Sequence, residues 1–93
     1  MEATTVAGKN KGEIRLYTLT TCGWCRKTKE FLKNEGLEYS YIDVDLLTGH
    51  DRKNAMDEML KWNPHRSFPT VVINGKDVIV GYNEEKIKGA LGL

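Results

Sequence analysis

Two cysteines, Cys22 and Cys25, are the only ones in this 93-residue chain, and two residues separate them. A pair at this spacing can exchange thiols with disulfides, supply two ligands to a zinc site, or form a structural disulfide. Structural zinc takes four ligands, and the only histidines, His50 and His65, stand at spacings that fit no standard finger. A disulfide closing so small a loop would constrain the unfolded chain little. The sequence therefore favours redox chemistry, with no metal site.

The surroundings of the pair predict different roles for the two thiols. Cys22 stands where a predicted strand gives way to a helix, and the unpaired N–H groups of a helix start favour a thiolate. Arg26 and Lys27 add positive charge in the first turn. Cys25 lies one turn further on, on the apolar side of the helix, so we expect it to be buried and protonated. An accessible thiolate that attacks a disulfide, followed by a shielded thiol that resolves the mixed disulfide, makes a complete exchange cycle.

The elements that must position these thiols follow from the hydrophobic pattern. A largely apolar run at 13–19 predicts a buried strand, and helical spacing over 24–35 predicts a helix that Gly36 ends. Residues 37–46 are rich in Tyr, Ile and Val and predict a second strand. A second helix is predicted from about residue 48 or 51 to 62, where apolar positions recur at helical spacing.

The last third of the chain predicts a hairpin and a final helix. Asn74 and Gly75 separate two β-rich runs, which is a strong hairpin signal, and Asn83 is a suitable N-cap for a helix. The predicted order is β-α-β-α-β-β-α, an α/β fold whose first two strands are parallel and whose last two are antiparallel. We expect residues 1–12 to form a flexible tail and residues 13–93 a single domain.

Composition excludes several broad classes of function. Apolar residues make up 40% of the chain and charged residues 29%, an ordinary globular balance. A net charge of +1 gives no reason to expect nucleic acid or a membrane surface as a partner. No apolar run is long enough for a membrane span, and the first residues do not form a signal peptide. We therefore expect a cytoplasmic protein, in which a close cysteine pair is more often catalytic or metal-binding than structural.

Segments well beyond the cysteines resemble those of glutaredoxins, which belong to the thioredoxin superfamily. They are YTLTTCGWC at 17–25, YIDVD at 41–45, SFPTVVING at 67–75 and GYNEE at 81–85. The resemblance extends over residues 13–93. It implies a thioredoxin-like (glutaredoxin) fold, with a four-stranded mixed sheet flanked by helices, and reversible disulfide chemistry at Cys22 and Cys25.

The resemblance also implies which residues surround the thiols. Trp24 takes a position that is aromatic in many glutaredoxins and would flank a substrate groove; a core tryptophan is the alternative. The Phe68–Pro69 bond is expected to be cis and to face Cys22, whereas the alternative is a proline that only starts an edge strand. The implied substrate-binding residues are Trp24, Ser67, Phe68, Pro69, Gly81, Asn83 and Glu84.

The chain departs from glutaredoxins at positions that matter for glutathione. Members that use glutathione often carry a lysine where this chain has Leu19, and a first glycine where it has Val80. Loss of a charge-assisted contact to a carboxylate removes about 1.5–3 kcal/mol of binding. His65 and Arg66 offer substitute charge, or they belong to a solvated loop. We therefore expect weak or absent preference for glutathione.

The resemblance implies no tightly bound cofactor. The expected partners are disulfide-containing proteins or small molecules, together with a reductant that is glutathione, another low-molecular-weight thiol or a reductase protein. We expect a monomer that binds neither nucleic acid nor membranes. The alternative function is that of glutaredoxins that bridge an iron–sulfur cluster between two subunits. Cys25 argues against that role, because an intramolecular disulfide with Cys22 would compete with the cluster.

Overall fold

Strands and helices alternate along the chain much as the hydrophobic pattern predicts. The protein is represented by a computed structural model that describes residues 3–93. Its elements, in chain order, are β1 (Thr4–Val6), β2 (Ile14–Thr18), α1 (Gly23–Asn34), β3 (Tyr39–Asp43), a 3₁₀ turn (Val44–Leu46), α2 (Gly49–Trp62), β4 (Thr70–Ile73), β5 (Asp77–Val80) and α3 (Glu84–Leu91). No helix formed by these residues is both long and apolar enough to cross a membrane.

The strands form one mixed sheet in the order β1-β3-β2-β4-β5. β2 and β3 are parallel and are connected through α1, and β4 and β5 form the expected antiparallel hairpin. The sheet has five strands rather than the expected four. The additional strand is β1, which lies within the segment predicted to be a tail and pairs antiparallel with the outer edge of β3. Backbone pairing at an open sheet edge orders this segment, although two of its three side chains are exposed.

Two apolar clusters cover the two faces of the sheet. Successive residues of a strand point to opposite faces, so neighbours in β2 belong to different clusters. Leu16 packs with residues of α1 and α3, whereas Tyr17 packs with residues of α2 such as Ala55 and Met59. α1 and α3 therefore cover one face and α2 covers the other.

The predicted site residues lie together at one end of the sheet. Tyr17 of β2 stands opposite Thr70 of β4, and Thr70 stands opposite Val80 of β5. The end of β2, the start of β4 and the end of β5 therefore lie side by side. The cysteine loop follows the first of these ends, Pro69 precedes the second, and Gly81 follows the third, so the sheet register itself brings three separate loops together.

Candidate active site

Cys22 is the N-cap of α1, and its sulfur contacts the backbone of the other cysteine. Its φ of −95° and ψ of 113° are extended, and Cys25 N donates a hydrogen bond of 3.1 Å to Cys22 Sγ. The first turn of the helix contains no acidic residue. The sulfur therefore lies at the start of the helix, where the backbone N–H groups have no partners within the helix. Cys22 is half-buried and both thiols are free.

Cys25 is buried beneath Cys22, as the helical spacing predicts, with 1% of its surface exposed. Burial raises the pKa of the Cys25 thiol to about 12, and the adjacent Cys22 sulfur contributes in the same direction. The backbone of Leu19 and the positive charge of Lys29 act in the opposite direction and lower this pKa. Cys25 is therefore a neutral thiol near pH 7.

An aromatic pair stands beside the cysteines. Trp24 is 57% exposed and stacks on Tyr82, with ring centroids 5.8 Å apart and an angle of 22° between the planes. Lys27 Nζ lies 4.9 Å from the centroid of the Trp24 ring. Trp24 is thus a surface residue and not a core tryptophan. Tyr82 was not predicted as a site residue, and the only signal for it was its place in the GYNEE segment.

The loop before β4 is tied to the loop after β5. The Phe68–Pro69 bond is cis, as the resemblance implies. The Pro69 carbonyl accepts a hydrogen bond of 2.9 Å from Gly81 N. Gly81 has a φ of 86°, in the left-handed region that favours glycine, so this connection uses a conformation that Gly81 adopts without strain. Pro69, which is buried, and Gly81, which were predicted separately, are therefore joined directly by their backbones.

A buried amide missed by the sequence interpretation supports this loop. Asn63 has 1% of its surface exposed, and its Nδ2 lies 3.0 Å from both Ser67 Oγ and Thr70 Oγ1. Its Oδ1 accepts a hydrogen bond of 3.0 Å from His65 N. An asparagine immediately before a proline at the end of a helix is typical of such a turn and could have indicated this role. Asn63 thereby connects the end of α2 to the loop that carries Pro69.

The remaining predicted residues are placed near this edge with defined local partners. Asn83 caps α3, with its Oδ1 accepting a hydrogen bond of 3.0 Å from Lys86 N. The Glu84 carboxylate accepts a hydrogen bond from the hydroxyl of Tyr82. Both side chains therefore shape the loop after β5. Leu19, at the position where glutaredoxins that use glutathione often carry a lysine, packs with the residues of the α2 cluster.

A groove of about 480 Å³ adjoins the aromatic pair on the side of α1. It is lined by Lys27, Glu30, Phe31, Asn34, Glu35, Tyr82 and Glu84. Its charged side chains are one lysine and three glutamates, so the groove is polar and mainly acidic. Within residues 3–93, no three side chains of His, Cys, Asp and Glu group closely enough to hold a metal ion.

Comparison with known proteins places this geometry in a family. The family model described as glutaredoxin matches residues 14–78. A protein of Clostridium pasteurianum, the "uncharacterized glutaredoxin-like 8.6 kDa protein in rubredoxin operon", is 35% identical over 74 residues, covering 80% of this chain and 91% of its own length.

Two solved archaeal structures are similar over nearly the whole chain. The glutaredoxin from Methanosarcina mazei Go1 is 40% identical with a TM-score of 0.90, covering 98% of this chain and 88% of that one. The methanoredoxin of Methanosarcina acetivorans is 42% identical with a TM-score of 0.87, covering 92% of this chain and 90% of that one. These likenesses confirm the predicted thioredoxin-like fold.

Proposed function

This chain belongs to the glutaredoxin family, and on that premise we propose that it is a thiol–disulfide oxidoreductase that uses Cys22 and Cys25. The observation that carries the proposal is that the two sulfur atoms lie in different environments. Cys22 Sγ caps a helix and accepts a hydrogen bond of 3.1 Å from Cys25 N, while the thiol of Cys25 is buried directly behind it. One sulfur is placed to attack and the other is protected until an intermediate forms.

The proposed reaction proceeds in two exchanges. The Cys22 thiolate attacks one sulfur of the substrate disulfide, forms a mixed disulfide and releases the first substrate thiolate. Cys25 then loses its proton to solvent, attacks Cys22 Sγ and releases the second thiolate. The protein ends as the Cys22–Cys25 disulfide, and two electrons have passed to the substrate. A separate reductant returns the protein to the dithiol.

The substrate surface in this proposal surrounds Cys22. The exposed Trp24 ring offers an aromatic surface to a substrate, and the loop that carries the cis Pro69 lies at the same edge of the sheet. The substrate-contacting residues are Trp24, Ser67, Phe68, Pro69, Gly81, Asn83 and Glu84. We infer disulfide-containing proteins or small molecules as substrates of a cytoplasmic monomer that needs no tightly bound cofactor and binds neither nucleic acid nor membranes.

Leu19 and Val80 support a preference for glutathione that is weak or absent. The side chain of Leu19 is apolar and packed, so it offers no charge to a glutathione carboxylate. The proposed reductant is glutathione or another low-molecular-weight thiol, or a reductase protein. Turnover assays with glutathione, with other small thiols and with a thioredoxin-reductase system compare these directly. Efficient turnover with glutathione alone would refute the weak preference without touching the dithiol mechanism.

The mechanism itself is tested with two serine variants. We expect Cys22→Ser to abolish reduction of a disulfide substrate, because no nucleophile remains at the helix start. Cys25→Ser should still form the mixed disulfide but should fail to release it, so intact-mass spectrometry detects a covalent adduct. Full reduction of the disulfide substrate by either variant, in a single turnover without an added thiol, would exclude the two-step scheme.

A further inference from the structure

A polar cluster built from three elements lies one helical turn below Cys25. Lys29 of α1 forms an ion pair with Asp43 at the end of β3, with 3.0 Å between Nζ and Oδ1. Thr18 at the end of β2 donates a hydrogen bond of 2.5 Å from Oγ1 to the same Asp43 oxygen. Thr18 and Asp43 are register partners of the parallel strands β2 and β3, so the sheet fixes the carboxylate.

The ion pair is held away from bulk water. The side chains of Lys29 and Asp43 are 24% and 14% exposed. Lys29 Nζ also lies 3.9 Å from the centroid of the Tyr41 ring, where the face of the ring attracts a cation. A pair that is shielded in this way keeps its electrostatic effect on neighbours better than an exposed pair does.

Helix geometry places Lys29 on the same face of α1 as the resolving thiol. Cys25 and Lys29 are four residues apart on α1 and therefore lie on the same face. Side chains on a helix lean toward its N-terminus, so the Lys29 stem extends back toward the turn that carries Cys25. Its positive charge favours the ionised form of Cys25 and lowers the pKa that burial raises.

We propose that the Lys29–Asp43 pair controls the second exchange of the redox cycle, with Lys29 as a positioning residue that stabilises the attacking Cys25 thiolate and Asp43 as the counter-charge that limits this effect. The inference rests on the proposed function, since it concerns the step in which Cys25 releases the substrate. It assigns Lys29 an effect on Cys25, one turn into the helix, and not on the nucleophile at its start.

Other groups around Cys25 also affect how readily its thiol ionises. The Cys22 sulfur acts from the helix start and disfavours a second negative charge, and the backbone of Leu19 favours one. From the sheet, the charge that reaches this region is that of Asp43, through its contact with Lys29. Arg26 and Lys27 are exposed to solvent on the outer side of α1. Lys29 is therefore the shielded cation that lies on the same face of α1 as the resolving thiol and whose charge acts on it.

The two exchanges can be timed separately with 5,5′-dithiobis(2-nitrobenzoate) in stopped-flow absorbance. The first thionitrobenzoate anion leaves when Cys22 attacks the reagent. The second leaves when Cys25 attacks the resulting mixed disulfide, so its rate reports Cys25 alone. When the pKa of Cys25 rises by one, the thiolate population below that pKa falls tenfold, but greater nucleophilicity recovers part of the loss, leaving a change of about threefold.

We expect opposite effects from the two partners of one ion pair. Lys29→Met should raise the pKa of Cys25, slow the second release by about threefold or more and move its pH profile to higher pH. Asp43→Asn keeps the shape and the contact with Thr18 but unmasks the lysine, so it should accelerate the second release. The first release should change little in both. Lys29→Arg should restore the parent profile, and Lys33→Met, on an exposed position of the same helix, is the matched control.

The outcomes separate this inference from the proposed function. If the ion pair only packed α1 on the sheet, both variants would lose the same contact and would alter stability and rate in the same direction, which would overturn the inference. Unchanged second-release rates in both variants would do so as well. Lys29→Gln serves as a second uncharged variant should Lys29→Met fail to fold. A parent protein that releases only one anion would instead overturn the proposed dithiol function.

Discussion

At the scale of single residues, Asn63 shows how a buried amide supports the loop that precedes the cis Pro69. Its side chain contacts Ser67 and Thr70 through Nδ2 and His65 through Oδ1. Asn63→Ala removes these contacts and leaves buried partners unsatisfied, so we expect a loss of about 2–3 kcal/mol in the free energy of unfolding. Urea denaturation followed by circular dichroism measures the loss.

A matched variant distinguishes the effect of losing the Asn63 amide from the effect of any substitution in this loop. His65→Ala retains the backbone N–H that Asn63 accepts and removes only an exposed side chain, so its unfolding midpoint should stay close to that of the parent. If Asn63→Ala proved as stable as His65→Ala, the hydrogen bonds at Asn63 would not be what holds the loop.

Asn63 and Tyr82 also mark the limit of what the sequence reveals about the site. The burial of Cys25 follows from helical spacing alone, and the exposure of Trp24 follows from its place at a helix start. The partners of Asn63 lie within seven residues of it, but they meet only because the chain turns back on itself after Pro64. The stacking of Tyr82 on Trp24 joins two segments that are distant in sequence. No local pattern encodes such contacts, because they depend on how the sheet register places the loops.

At the scale of elements, β1 is the strand that the sequence did not predict. It has three residues, and both of its threonines are exposed, so it lacks the alternation that identifies a half-buried strand. Its position is determined by the edge of β3 and by the next turn. There, Lys9 N donates to Gly36 O at 2.8 Å, and Glu38 N donates to Lys9 O at 2.9 Å. The longer elements, whose periodicity covers several turns or pairs, were predicted correctly.

Gly8 gives a test of how firmly this N-terminal segment is seated. A Cβ at Gly8 would stand 2.5 Å from the backbone carbon of Leu37, which cannot move aside as a flexible side chain can. We therefore expect Gly8→Ala to lower the free energy of unfolding by about 1–3 kcal/mol, as overpacking does. Thermal unfolding monitored by calorimetry is the measurement.

Gly89 is the matched glycine, since it is exposed in α3 and a Cβ there would meet no atom within 4 Å. Gly89→Ala should raise stability by about 0.5–1 kcal/mol, because alanine loses less backbone entropy than glycine when a helix forms. Equal effects of the two substitutions would mean that the segment before Lys9 does not pack against Leu37 under the conditions of the experiment.

At the scale of the whole molecule, the burial of titratable side chains makes folding stability sensitive to alkaline pH. Cys25 is buried on α1, and this burial raises the pKa of its thiol to about 12 from an ordinary value of 9.0. Between these values the unfolded chain has lost this proton while the folded chain retains it. Folding stability then falls as pH rises, by about 1.4 kcal/mol per pH unit at most for one group. Below this interval both states hold the proton and the contribution is fully present.

Burial also raises the pKa of Tyr39, so alkaline destabilisation has more than one source and needs a variant to assign it. Cys25→Ala removes the thiol and leaves the tyrosines unchanged. Under reducing conditions, the parent should lose about 1 kcal/mol more than Cys25→Ala between pH 9 and pH 10 in urea titrations. The difference between the two proteins should be constant from pH 6 to pH 8, where the thiol is protonated in both states. Parallel losses above pH 9 would mean that water reaches Cys25 in the folded protein, and the separation between an accessible and a shielded sulfur would then fail.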